Sequence, residues 1–317
     1  MTALGAVLPL LLAAAGTPPR FSAGVEQVRL DVVVSRGGEP VSELTAADFE
    51  VLDNGVRQPI ELVSREQRAV HGVLVLDLSS SLDAPQRQAL QEAAATFLRK
   101  LEPGDRATLL TFTEDLQLVS GPDDPERILA SLSALSDSGT TALYDAVYAG
   151  ATLAGAAPGR PFVLVFTDGL DQISWLSPEK LAQVVRGLEA TVYVVSPEAW
   201  PEIDKERRGP VEAVSAFEPG NYGIAMAQRS SRLGYGPPNS REIVARIVAD
   251  SGGKVLSDRS RDGFSADFAA VLSEVKNRYL LVYDQQGTPR PGWHEIKVRL
   301  KKRKGDVRAR RGYFAAP

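Results

Sequence analysis

The chain has 317 residues, 44% apolar and 24% charged, a globular composition that excludes overall disorder. Its 36 Lys and Arg against 40 Asp and Glu leave a net charge of −4, which gives no global reason to expect nucleic acid as a partner. With no cysteine, disulfides, thiolate metal sites and cysteine nucleophiles are excluded, and the two histidines, His71 and His294, limit imidazole chemistry to what that pair could assemble.

The chain opens on an apolar run from Ala3 to Ala15 that ends at Gly16-Thr17-Pro18-Pro19. The run is too short to span a bilayer and suits a signal-peptide core, with Ala13, Ala14 and Ala15 as small residues for cleavage. No Lys or Arg precedes it. Residues 1–24 are therefore expected to be a signal peptide and linker, and no transmembrane span is expected in the mature chain.

Residues 25–68 read as a β segment. Val28, Leu30, Val32 and Val34 alternate with other residues, as in a strand with one buried face. Asp48 to Leu52 and Ile60 to Val63 read as two further strands joined by a turn at Asp53-Asn54-Gly55.

The pattern changes over residues 69–277. His71 to Leu78 is an almost continuous apolar run, as expected of a central parallel strand buried on both faces. Pro85 to Leu101 carries apolar residues at helical spacing, and Arg106 to Phe112 is the next strand. Pro125 to Leu135 and Ala142 to Ala156 read as helices, Phe162 to Phe166 as a strand, Ser177 to Leu188 as a helix and Val192 to Val195 as a strand. Residues 197–240, rich in Pro, Gly, Ser and charge, are too long for a routine connection and read as an insertion loop. A helix over Arg241 to Ala249, a strand over Lys254 to Leu256 and a helix over Ser265 to Val275 follow.

This alternation predicts an α/β fold with a Rossmann-like, doubly wound, mostly parallel sheet. Residues 278–317 return to β, with strands over Arg278 to Tyr283, His294 to Leu300 and Val307 to Tyr313. Neither terminal β segment has enough strands to be stable alone, so the two are expected to pair into a small β-sandwich, with the α/β domain inserted between its halves.

Chemistry concentrates at one edge of the predicted sheet. Asp77-Leu78-Ser79-Ser80-Ser81 lies at the C-terminal end of the first buried strand, where open α/β sheets bind ligands. Asp168 follows the Phe162–Phe166 strand, and Thr141 lies in a loop leading into a helix. Together Asp77, Ser79, Ser81, Thr141 and Asp168 offer two carboxylates and three hydroxyls. These hard oxygen donors suit Mg²⁺ first, with Mn²⁺ or Ca²⁺ as alternatives, rather than zinc. A shell this rich in neutral hydroxyls leaves the cation short of negative charge, which an Asp or Glu of another protein can supply.

These segments resemble the von Willebrand factor type A domain. Asp77, Ser79 and Ser81 match its DxSxS motif, Thr141 its Gly-x-Thr-x-Leu segment and Asp168 its Thr-Asp-Gly, which together form the family's metal-ion-dependent adhesion site (MIDAS). Val41 to Thr45, Asp48 to Val51, Gly252-Gly253, Tyr279 to Tyr283 and Arg311-Gly312-Tyr313 resemble the ends of bacterial, mostly exported von Willebrand factor A-related proteins. The resemblance implies a metal-dependent protein-binding module, exported from a bacterium to the periplasm, surface or medium, and not an enzyme.

Plainer readings stand beside these. Asp77, Ser79 and Ser81 could cap a helix, and Asp168 could be a turn residue. Thr140 neighbours Thr141 but fits the motif spacing less well, and Asp171 reads as a loop or cap carboxylate. The positive stretch from Arg299 to Arg311 reads as the solvated face of an edge hairpin rather than an anionic-surface patch. Trp175, Trp200 and Trp293 read as packing residues, with Trp175 placed beyond a strand on the metal edge. Two functions other than metal-dependent binding remain: a structural scaffold with a vestigial site, and a metal-dependent hydrolase. Against the hydrolase, Ser79 stands where a second carboxylate would be wanted, and no phosphate-binding glycine loop is present.

Overall fold

The computed structural model describes residues 27–65, 69–123, 125–132, 139–157, 160–188, 190–200, 240–257, 263–287 and 291–315. The Ala3–Ala15 run and positions 201–239 of the expected insertion lie outside the described residues.

The apolar run forms strand β6 (Val70–Asp77), every residue of which is buried. Parallel strands flank it: β7 (Arg106–Phe112) on one side and β9 (Arg160–Phe166) on the other, with β10 (Thr191–Val195) and β11 (Val255–Leu256) beyond β9. A sixth strand, β8 (Leu116–Asp123), runs antiparallel to β7 at the far edge and was not anticipated from the sequence. Its register against β7 is irregular, which blurs the two-residue alternation by which strands are read.

Helices cover both faces of this sheet. Leu74 and Leu76 pack with α1 (Ala84–Arg99), α2 (Pro125–Leu132) and α6 (Gly263–Lys276). Val73 and Val75 pack on the opposite side with α3 (Leu143–Gly155), α4 (Pro178–Gly187) and α5 (Ser240–Asp250). Alternate side chains of one strand thus serve two cores, which is why β6 is apolar throughout. The architecture is the expected doubly wound α/β fold. Among the described residues no helix is long and apolar enough to cross a membrane.

The terminal strands form two further sheets. In one, β1 (Gln27–Arg36) lies between β14 (Asp306–Ala309) and β12 (Tyr279–Asp284), with β5 (Leu62–Ser64) outside β12 and the short β2 (Glu39–Pro40) against β1. In the other, β13 (Gly292–Leu300) pairs with β15 (Gly312–Ala315) and with β3 (Phe49–Asp53), which pairs with β4 (Val56–Gln58). Val28, Leu30, Val32, Tyr279 and Leu281 of the first sheet share a core with Phe49, Val51, Ile296 and Tyr313 of the second. Each sheet contains strands from both ends of the chain, so the small sandwich closes only after the α/β segment has been made.

Two strand expectations need correction. The hairpin partner of β3 is Val56–Gln58, not Ile60–Val63. Asn54 (φ 47°) and Gly55 (φ 83°) form a two-residue turn, which returns the chain at once. Leu62–Ser64 instead crosses to pair with β12. The expected Val307–Tyr313 strand breaks into β14 and β15, which belong to different sheets.

The basic stretch is also not merely a solvated hairpin face. Arg308 pairs with Glu274 of α6, and Arg311 Nη1 lies 3.0 Å from Asp250 Oδ1 of α5. Asp250 also receives Arg186 of α4 at 2.9 Å. Arg308 and Arg311 therefore tie the sandwich to helices of the α/β domain.

Candidate metal centre

Asp77 ends β6, and its carboxylate is fully buried. Oδ1 accepts the Ser79 N–H at 2.9 Å, and Oδ2 accepts the Thr167 hydroxyl at 2.8 Å. Ser79 is buried and Ser81 exposed, with their hydroxyl oxygens 2.7 Å apart. Burial holds the Asp77 carboxyl at about 6, well above the usual carboxylate range, and the charge of Asp168 pushes the same way. The hydrogen bonds from Ser79 and Thr167 only partly offset this.

The capping reading of this loop does not hold. Helix α1 is capped by Asp83, which accepts from Gln86 N at 2.8 Å while Gln86 Oε1 accepts from Asp83 N at 3.0 Å. Asp77, Ser79 and Ser81 lie before that box and are not needed for it.

The three loops are bonded to one another. Ser80 donates its N–H (3.2 Å) and its hydroxyl (2.9 Å) to the Gly139 carbonyl, joining the Asp77 loop to the Thr141 loop. Gln172 Oε1 accepts the Thr141 N–H at 3.1 Å, and the Gln172 N–H donates to the Thr141 carbonyl at 2.8 Å, joining the Thr141 loop to the Asp168 loop. Thr167, next to Asp168, closes the ring on Asp77. All five residues predicted from sequence therefore lie in one hydrogen-bonded group of loops at the C-terminal ends of β6 and β9.

Thr140 is exposed and Thr141 fully buried, which separates the two threonines. The Thr141 Oγ1 atom is buried without a hydrogen-bond partner among the described residues. It does not cap α3, whose N-terminal N–H groups are served by Asp171 and Ser174: Tyr144 N donates to Asp171 Oδ1 (3.2 Å) and to Ser174 Oγ (3.0 Å). Asp171 is thus a cap carboxylate, as read. An unmet buried hydroxyl costs about 1–3 kcal/mol.

Asp168 is nearly buried, and its Oδ1 accepts the Leu170 N–H at 2.9 Å. Its main chain is held from α5: Arg241 Nε donates to the Asp168 carbonyl at 2.7 Å, and the Ser240 hydroxyl to the Gly169 carbonyl at 2.5 Å. Gly169 has φ 86°, and a Cβ there would lie 2.4 Å from Trp200 Cζ2. The left-handed turn and the indole against it both require glycine. Thr167, Arg241, Ser240 and Trp200 were missed by sequence reasoning; for Thr167 the only signal was its place in Thr167-Asp168-Gly169.

Neither histidine reaches this edge. His71 lies at the other end of β6, about 20 Å along the strand from Asp77, and bonds Thr108 Oγ1 at 3.0 Å. His294 is in the sandwich, 2.7 Å from Asp53. Among the described residues no group of three or more His, Cys, Asp or Glu gathers to hold a metal ion. A cation at this edge would depend on hydroxyls as well as its two carboxylates. An orphaned hydroxyl, a raised carboxyl and a second carboxylate within one group of loops fit a hard divalent cation.

Residues 73–170, from the middle of β6 to the Asp168 loop, match the family model of the von Willebrand factor type A domain. Over that stretch the chain is similar to a von Willebrand factor type A domain. No curated protein matches the sequence. Among solved structures, the chain is similar to an aerotolerance-related membrane protein from Bacteroides fragilis, with 17% identity, 65% of this chain and 98% of that chain covered and a TM-score of 0.43. It is similar to a von Willebrand factor type A protein from Catenulispora acidiphila at 13% identity, over 90% of this chain and 72% of that chain, with a TM-score of 0.46. It is also similar to proximal thread matrix protein 1 of the mussel byssus, whose MIDAS motif is occupied by zinc, at 15% identity and a TM-score of 0.47, over 72% of this chain and half of that one (50%).

Proposed function

We propose that the protein is a metal-dependent protein-binding module. Asp77, Ser79, Ser81, Thr141 and Asp168 hold the cation, directly or through water, with Mg²⁺ the first candidate and Mn²⁺ or Ca²⁺ next. The cation supplies a positive centre for an Asp or Glu carboxylate of another protein. The observation that carries this reading is the buried, unpartnered hydroxyl of Thr141 in a group of loops that also buries two carboxylates. Such an arrangement is costly when empty and is relieved by one cation.

The division of labour follows from the loops. Ser79 and Ser81 hold each other's hydroxyls in place, Thr167 orients Asp77, and Arg241 and Ser240 fix the Asp168–Gly169 main chain. The reading is adhesion or assembly, without turnover. We further assign residues 1–24 to an export signal and linker, 25–68 and 278–317 to the sandwich, and 69–277 to the type A domain, with 197–240 as its insertion. The protein then works outside the bacterial cytoplasm. Partner capture tests the proposal: a bound protein should elute with EDTA and fail to bind Asp77→Ala, whereas capture unchanged by both would leave a structural scaffold.

A further inference from the structure

The loop that leaves Asp168 exposes three apolar side chains within six residues: Leu170 (40% exposed), Ile173 (43%) and Trp175 (98%). Apolar residues scattered singly on a surface are ordinary, but three on one short loop are not. The loop is also rigidly held. Gln172 N and Ile173 N both donate to the Thr141 carbonyl, at 2.8 Å and 3.3 Å. Trp175 N and Leu176 N donate to the two carboxylate oxygens of Asp145, each at 2.9 Å. Ser174 Oγ accepts from Tyr144 N at 3.0 Å and Asp145 N at 3.3 Å. The main chain around Trp175 is fixed at the N-terminus of α3 while its indole lies almost wholly in water.

The main chain of this loop is tied to the proposed metal centre. Leu170 N bonds the Asp168 carboxylate, and Ile173 N bonds the Thr141 carbonyl, so two of the three residues lie one hydrogen bond from proposed ligands. Among the described residues, those exposed on and beside the other two loops include the polar Ser80, Ser81, Thr140 and Glu114. Among the described residues the rim is therefore asymmetric: large apolar side chains are exposed on the Asp168 loop, beside Gln172, and polar ones on the other two.

We infer that Leu170, Ile173 and Trp175 form a specificity surface for a protein segment in which the metal-seeking Asp or Glu is flanked by a large apolar residue. The inference rests on the metal-dependent binding reading and deepens it. Charge complementarity brings the carboxylate to the cation. Its chain neighbours then lie over a rim that is apolar on one side only, and an apolar neighbour there removes the exposed indole and aliphatic side chains from water. Aromatic side chains such as Trp175 are enriched in binding hot spots.

The test uses two blocked peptides that share one Asp, flanked in the first by Leu and Phe and in the second by Ser and Gly. Each is titrated into the full-length protein in Mg²⁺, and into Trp175→Ser and Ile173→Ser, which alter exposed side chains. Mg²⁺ calorimetry on each variant reports whether the centre is intact. The expected result is that the apolar-flanked peptide binds about tenfold tighter than the polar one, that Trp175→Ser removes this preference, and that Mg²⁺ affinity is unchanged. Equal binding of the two peptides, or a preference that survives in both variants, would overturn the inference while leaving carboxylate gripping intact. Failure of both peptides in Mg²⁺ would overturn the inference and the parent reading together. Sedimentation with neutral phosphatidylcholine vesicles that is lost in Trp175→Ser would overturn it in favour of a membrane surface.

Discussion

Thr167 donates its hydroxyl to Asp77 Oδ2 at 2.8 Å and accepts the Gly169 N–H at 3.0 Å, so one side chain sets both the first carboxylate and the turn after Asp168. Thr167→Val keeps the shape and removes both bonds. Magnesium affinity should fall about 10–100-fold, the usual effect of losing a group that orients a ligand. Calorimetric titration of the variant checks this, and an unchanged affinity would show that Asp77 needs no such support.

Gly169 faces two constraints at once. Its φ is 86°, and Trp200 Cζ2 and Arg241 Cγ would lie 2.4 Å and 2.6 Å from an added Cβ. Gly169→Ala should cost about 1–3 kcal/mol in urea unfolding and weaken metal binding, because the indole and Arg241 must move and Arg241 holds the Asp168 carbonyl. Arg241→Ala should weaken metal binding with a smaller loss of stability, since Glu198, with which its guanidinium pairs, is exposed.

Asp105 sets an acid limit to stability away from the metal edge. It accepts from Val70 N at 2.9 Å and Glu102 N at 2.8 Å and pairs with Lys276 at 2.9 Å. Burial alone would raise its pKa, but these bonds and the Lys276 ammonium more than offset burial and hold it below the ordinary value. A carboxyl whose folded pKa is depressed adds stability above its unfolded pKa, and that stability is lost as pH falls through the folded value. Asp105→Asn should therefore cost about 2 kcal/mol at pH 7, and less as the pH falls below 4. Urea midpoints of both proteins at several pH values test this, and a gap that does not narrow would contradict it.

Glu274 joins the two parts of the fold. Its Oε1 accepts the Tyr193 hydroxyl at 2.5 Å, and its other oxygen pairs with Arg308 of β14. Buried Arg278 donates to the same Tyr193 hydroxyl at 2.7 Å. Glu274→Ala should destabilise by about 3 kcal/mol, because it leaves Arg308 without the carboxylate it pairs with and the buried Tyr193 hydroxyl without its acceptor. Thermal unfolding should show the loss. A shift within experimental error would mean that the sandwich is held by its apolar core alone.

Much of this was legible in the sequence because the signals were local. The apolar run of β6, the helical spacing of Leu90, Ala93, Ala94 and Phe97, and the Asp-x-Ser-x-Ser spacing are each contained in a few residues. The features missed depend on partners far along the chain. Thr167 and Asp77 are 90 residues apart, and Arg241 lies 73 residues from the Asp168 carbonyl it holds. The hairpin error had a local cause: Asn54-Gly55 identified the turn, but the partner strand is the three-residue Val56–Gln58, too short to show alternation. Strand β8 was hidden by its irregular register, and the division of β14 from β15 by a basic run that reads as one strand until Arg308 and Arg311 find their carboxylates on α6 and α5.

The most direct test of the central claim is calorimetric titration of the purified protein with Mg²⁺ and Mn²⁺, beside Asp77→Ala. Saturable binding at one site, absent from the variant and matched by a rise in thermal midpoint that EDTA reverses, is the result predicted. Wild-type protein that binds neither cation, or a variant that binds them equally well, would contradict it.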